Sequence, residues 1–234
     1  MIPNRCIILL LVLAMLGCST TAYEEKEEVE FISNENVEQR GAIVASKPEV
    51  QHWPEILFPL IDRTLNDPDP GLALYRNPAT RELVQDFFVE LTGSKEVALP
   101  ILYHANRQDV PLFLAFSLVQ AESSFQIDAV NRNPYSIDRG LFQLNSRSFP
   151  QLRNEDFFHP DTNVFHGVSY MRYTLDSMGD VERALAMYNA GRSRVESNSI
   201  PESTKLYVRR ILENREELRE KFRSYLLETF SSSV

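Results

Sequence analysis

Glu122 stands where a carboxylate is least expected. The run "DVPLFLAFSLVQAESSF", residues 109–125, carries Leu112, Ala115, Phe116 and Val119 at helical spacing, and Phe113, Leu114 and Leu118 make its other faces apolar. Asp109 is placed to cap the start of this helix and Pro111 to suit its first turn. Such a helix is expected to be buried, yet its C-terminal end, where peptide dipoles favour cations, holds Glu122. Apolar neighbours and the dipole both disfavour the charged form, so its pKa is expected to rise. A carboxyl group that keeps its proton near neutral pH can give it to a leaving oxygen, as cleavage of a glycosidic bond requires. Read alone, the position fits better a solvated glutamate one residue beyond the buried surface.

The elements that must position this residue read as helices. The chain has 234 residues, is 43% hydrophobic and has only 8 glycines, enough for one ordinary domain with appendages. "ATRELVQDFFVELTG" is expected to be a helix with Leu83, Phe87 and Leu91 on one face and Gly93 closing it. "SKEVALPILYHANRQ" is another, leading into the Glu122 helix. Upstream, "PEVQHWPEILFPLIDRTL" reads as a short helix interrupted by prolines, and "NDPDPGLALYRNP" as a turn-rich connection. Downstream of "QIDAVNRNPYSIDR" and "GLFQLNSRSF", a helix is expected near 162–178 with Val164, Val168, Met171 and Leu175 as its stripe. Asp180 is expected to cap the next helix, "VERALAMYN", which Gly191 ends. The last starts near Ser203 and buries Val208, Ile211, Leu218 and Phe222. The fold class is therefore mainly α, with an extended, hairpin-like insertion directly after Glu122.

The net charge of -9 argues against a nucleic-acid partner, since phosphate binding wants a basic face. The opening "MIPNRCIILLLVLAMLGCST" has a basic start at Arg5 and a short apolar run, too short to span a membrane. It resembles a bacterial lipoprotein signal, which implies a signal peptide over 1–17 and a lipidated Cys18 as membrane anchor. Ser19 after the cysteine points to the outer membrane by analogy, with the domain on the periplasmic face of the cell envelope. Removal of Cys6 with the signal leaves no partner for an internal disulfide. The Glu-rich segment over 18–47 reads as a solvated tether. Residues 48–95 read as an N-terminal helical extension packed on a domain spanning 96–230. The four histidines, 52, 104, 159 and 166, lack metalloprotease spacing, and no metal or other cofactor is expected.

The segment "AESSFQIDAVNRNPYSIDRGLFQLNSR" closely resembles the active-site segment of the lysozyme superfamily. "ALAMYNAG" resembles the Ala-Tyr-Asn motif of the family 23, Slt-type lytic transglycosylases, with Met187 in place of the first Ala. "PESTKLYVRRIL" resembles their closing helix. The resemblance implies a lysozyme-like helical domain that acts on peptidoglycan glycan strands. It implies Glu122 as the sole acid/base: it protonates the bridging oxygen between N-acetylmuramic acid and N-acetylglucosamine, then takes a proton from the sugar's own C6 hydroxyl, giving a 1,6-anhydromuramoyl end. Ser123, Gln143, Tyr188 and Asn189 would line the cleft, Tyr207 would orient Glu122, and Gly140 would let the backbone approach the sugar closely. Asn131 and Asn133 can hydrogen-bond sugar acetamides or hold the turn they occupy.

Asp138 opens a second reading. It lies sixteen residues beyond Glu122, where c-type lysozymes carry their second carboxylate. There the acid is raised by burial and the aspartate stays ionised as nucleophile. "MYNAG" and "YVRRI" belong to the transglycosylase pattern, which is the reading favoured here. The alternatives are a lysozyme-like muramidase using Glu122 and Asp138, and a peptidoglycan-binding lipoprotein that has lost the chemistry. Arg139 would either lower the Asp138 pKa or face solvent.

Overall fold

The computed structural model describes Thr64, Asp67 and residues 69–231, all within a compact unit, Glu49–Val234. The signal peptide, Cys18, the tether and the interrupted helix expected around 48–63 lie outside the described residues. The chain forms α1 (Pro70–Arg76), α2 (Arg81–Thr92), α3 (Lys95–Arg107) and α4 (Leu112–Ser123). A small sheet follows, β1 (Val130–Arg132), β2 (Ile137–Arg139) and β3 (Leu144–Asn145), then a 3-10 turn at Asp156–Phe158. The chain closes with α5 (Pro160–Met178), α6 (Val181–Ala190), α7 (Arg192–Glu196) and α8 (Glu202–Ser231). This is the mainly α, lysozyme-like arrangement that the sequence implies.

α4 is the hub. Leu112, Phe113, Leu114, Ala115, Phe116, Leu118 and Val119 are all buried, so the helix is held on every side by other elements. α8 lies along it through Val208, Ile211, Leu218, Phe222 and Leu226, which recur at steps of three, four and seven residues and so share one face. Phe88 of α2 stacks on Phe116 at 3.9 Å, and Phe222 meets Phe113 at 5.4 Å and Phe87 at 4.9 Å. α3 packs on α5, and α5 on α6, completing the frame around the sheet.

The segment over 66–78 corrects the sequence reading, since it holds α1 rather than only turns. Asp69 caps this helix by accepting from the Leu72 amide at 3.1 Å, Pro70 begins it, and Leu72, Leu74 and Tyr75 are buried. The cap of α4 is corrected as well. Asp109 has a left-handed backbone (φ 54) and pairs instead with Arg76 at 2.6 Å. The Leu112 amide donates to Asp69 Oδ2 at 2.5 Å, so one buried carboxylate caps two helices. Burial pushes the Asp69 pKa up to about 6, against the pull of the two amides. Asp69→Ala leaves two buried amides unpaired at once, and chemical denaturation at pH 7 is expected to show a loss of about 2–3 kcal/mol.

The insertion after α4 is a three-stranded antiparallel meander, one strand more than a hairpin. Asn131 stands opposite Asp138, and Asp138 opposite Asn145. Gly140 (φ +74) follows β2, and its place corrects another expectation. A Cβ there would lie 2.2 Å from the Phe157 carbonyl oxygen and 2.4 Å from Asn163 Nδ2. The close approach that needs glycine is therefore to the protein's own 3-10 turn and α5, not to a ligand. Asn163, buried on α5, staples the sheet down. Its Oδ1 accepts from the Phe142 amide at 2.8 Å, and its Nδ2 donates to the carbonyls of Arg139 (3.0 Å) and Phe157 (2.8 Å).

Candidate active site

Glu122 comes to its place because α4 stops abruptly behind it. Ser124 (φ 50) and Phe125 (φ 64) both take the left-handed conformation, costing about 1–2 kcal/mol each. The Phe125 ring packs against Phe116, 6.4 Å away, and so anchors the turn. Strain of this kind, held by surrounding packing, collects at working sites. The cation that the helix terminus favours arrives from elsewhere: Arg210 of α8 donates through Nη2 to the Ala121 carbonyl at 3.1 Å.

Glu122 lies at one side of a cleft of about 600 Å³. Burial raises its pKa to about 7. The Tyr207 hydrogen bond opposes the rise, the negative charge of Asp138 adds to it, and Arg210 pulls it down. Tyr207, on α8, donates its hydroxyl proton to Glu122 Oε1. Burial, and then the Glu122 charge, raise the Tyr207 pKa well above the phenol range, so the hydroxyl stays a donor. Removing that donor in Tyr207→Phe takes away a contact that favours the carboxylate. The Glu122 pKa is then expected to climb, moving the alkaline limb of the pH–rate profile upward, while lost orientation lowers kcat about tenfold.

Across the cleft, Asp138 is held by asparagine amides. Asn133 Nδ2 donates to Oδ2 at 2.7 Å, Asn131 Nδ2 to the same oxygen at 3.4 Å, and Asn145 Nδ2 to Oδ1 at 2.6 Å. Amide donors thus hold both oxygens of Asp138 in a fixed orientation. Arg139 makes no ion pair with Asp138; its guanidinium lies over the Phe157 ring at 5.2 Å. The Gln143 side chain lines the cleft while its amide donates to the carbonyls of Ala129 (3.1 Å) and Gly140 (2.9 Å). Tyr188 donates to the Phe142 carbonyl at 3.0 Å, tying α6 to the sheet, and Asn189 Oδ1 accepts from Thr204 at 2.8 Å, tying α6 to α8.

Of the residues singled out from the sequence, Glu122, Asn131, Asn133, Asp138, Gln143, Tyr188 and Asn189 all line this one cleft. Tyr207 reaches it through Glu122. Ser123 does not: it is buried, and its hydroxyl turns back to the Val119 carbonyl at 3.2 Å. Asn145, Ser148, Phe149 and Tyr170 also line the cleft and were not picked out. Asn145 becomes visible only once β3 is placed opposite Asp138. Tyr170 flanks the buried stripe of α5, where an aromatic is a cue for a cleft wall. Arg210, one helical turn beyond Tyr207, carried a readable signal.

Among the described residues no group of three or more His, Cys, Asp or Glu side chains could hold a metal ion. The arrangement sets a carboxyl group whose pKa burial raises to about 7 in the same groove as an amide-bound aspartate, which suits it to proton transfer. Residues 100–206 match the family model described as Transglycosylase SLT domain.

Proposed function

Residues 100–206 form a transglycosylase SLT domain, whose family acts on peptidoglycan as lytic transglycosylases, and from this premise we propose a reaction for the chain. The chain cleaves the β-1,4 bond between N-acetylmuramic acid and N-acetylglucosamine and leaves a 1,6-anhydromuramoyl end. Glu122 gives its proton to the bridging oxygen as the C1–O bond breaks. The C6 hydroxyl then attacks C1, and its proton returns to the Glu122 carboxylate, which restores the acid without water. The substrate's own N-acetyl group stabilises the positive charge that develops at C1, and Asp138, engaged at both oxygens by asparagine amides, is secondary. Gln143, Tyr188 and Asn189 hold the strand. The observation that carries this reading is Glu122, raised to about 7 in a cleft and oriented by Tyr207. Lipidation at Cys18, with 18–47 as tether, would hold the domain at the periplasmic face of the envelope; Cys18→Ser is then expected to release the chain from the membrane fraction.

One observation favours a second reading. Asp138, oriented by its amide partners in the same cleft as a raised Glu122, also suits a hydrolase in which the aspartate forms a glycosyl intermediate. Digestion of purified sacculi separates the two by mass. Anhydro ends support transglycosylation, and reducing muramic acid ends as the main product support the muramidase.

A further inference from the structure

The aromatic wall of the cleft continues beyond it. Phe149, which lines the cleft, meets the His166 ring edge-on at 5.6 Å. His166 meets Phe165 at 5.0 Å, Phe165 meets His104 at 5.6 Å, and His104 meets Tyr103 at 5.0 Å. The rings therefore step from the cleft across α5 to α3. Those at the far end are open to solvent, Phe165 being 46% and Tyr103 52% exposed. Between them, His104 Nε2 shares a 2.9 Å hydrogen bond with Asp161, whose carboxylate is itself largely exposed.

Single exposed aromatics need no explanation, but a contiguous series that begins inside a cleft does. Its chemistry is mixed: the exposed rings of Phe165 and Tyr103 stand with the exposed Asp161 carboxylate, while His104 between them is buried and holds that carboxylate in place. A pyranose ring matches that surface, with C–H groups on its faces for stacking and hydroxyl and acetamide groups at its rim for Asp161. An apolar protein partner would cover the exposed Asp161 carboxylate without supplying donors for it.

We propose that Phe165 and Tyr103, joined to the cleft through Phe149 and His166, form a second carbohydrate-binding surface that holds the same glycan strand beyond the cleft. The proposal rests on the glycan-cleaving reading above and extends it to strand length. Longer strands would gain from both surfaces at once, whereas a fragment confined to the cleft would not.

The test titrates the full-length Glu122→Gln chain with a tetrasaccharide from digested sacculi and with long soluble strands. The long strands are expected to bind more tightly, and Phe165→Ala with Tyr103→Ala to cut that advantage about tenfold. Phe165→Tyr is expected to keep the advantage, and Phe165→Leu, apolar but without an aromatic face, to lose it. An unchanged advantage in the double variant, or full retention in Phe165→Leu, overturns the second surface while tetrasaccharide binding leaves the cleft reading standing. Binding of neither ligand overturns both.

Discussion

Glu122→Gln is expected to reduce sacculus solubilisation about 10³-fold, the largest effect of any single change in the molecule. The amide keeps the size of the side chain and can still accept from Tyr207, so the cleft should survive. What it cannot do is release a proton to the bridging oxygen and take one back. The wild-type pH profile should carry the same signature. The acid works only while protonated, so kcat/KM is expected to fall about tenfold per pH unit above a midpoint near 7, where burial has placed the Glu122 pKa. Dye release from labelled sacculi, followed across pH for both proteins, checks both points. Appreciable turnover by the variant would mean that another group supplies the proton.

Substitution of Asn163 is expected to do the most damage to the frame. Asn163→Ala leaves the Phe142 amide and the carbonyls of Arg139 and Phe157 without the partner that each has now. At about 1–3 kcal/mol for each orphaned buried group, partly offset by relaxation, the expected loss is about 3 kcal/mol, or about 6–12 °C in Tm. The sheet carrying Asp138 and the approach to Gln143 hang on this contact, so kcat should fall as well. Asn163→Asp keeps the acceptor for the Phe142 amide but turns its second oxygen onto the carbonyls of Arg139 and Phe157 in a buried site, so its Tm is expected to fall at least as far as that of Asn163→Ala. Thermal scans of the three proteins check the order.

The parts of the site close together in sequence were the most legible. The stretch from Glu122 to Gln143 contains the acid, β1, β2 and many of the residues that line the cleft, because the chain turns back on itself immediately after α4. Helical periodicity located α2 to α6 and α8, since each buries a regular stripe. What could not be read depends on distant pairing. Asp69 caps α4 from 43 positions away, and nothing near Asp109 reveals that its own backbone turns left-handed and its carboxylate goes to Arg76. α1 was hidden because its seven residues sit among turn-forming Asp, Pro and Asn, and only the burial of Leu72, Leu74 and Tyr75 decides for a helix. Gly140 was rightly a residue that needs no side chain, but the neighbour that forbids one is Phe157 and not a ligand. Ser123 follows the acid in sequence, yet a helix sends successive side chains about 100° apart, so it points into the core while Glu122 points into the cleft.

Asp69 shows how these contacts act beyond geometry. Its folded-state pKa of about 6 lies above its ordinary value, so ionisation costs stability as pH rises through 6 and the contribution is recovered below about 4. Glu122 is shifted in the same direction, and in its case the cost is the source of the chemistry. The site is therefore expected to be a locally unfavourable arrangement held by the hydrophobic frame of α4 and α8.

The central claim is that Glu122 holds its proton at neutral pH. The most direct measurement is an NMR titration of the 13C-labelled Glu122 side-chain carboxyl in the intact protein, assigned by its loss in Glu122→Gln. A midpoint of about 7 is the predicted result. A midpoint near the ordinary glutamate value of about 4.5 would mean that the group is ionised at working pH and has no proton to give, and the account would be wrong at its root.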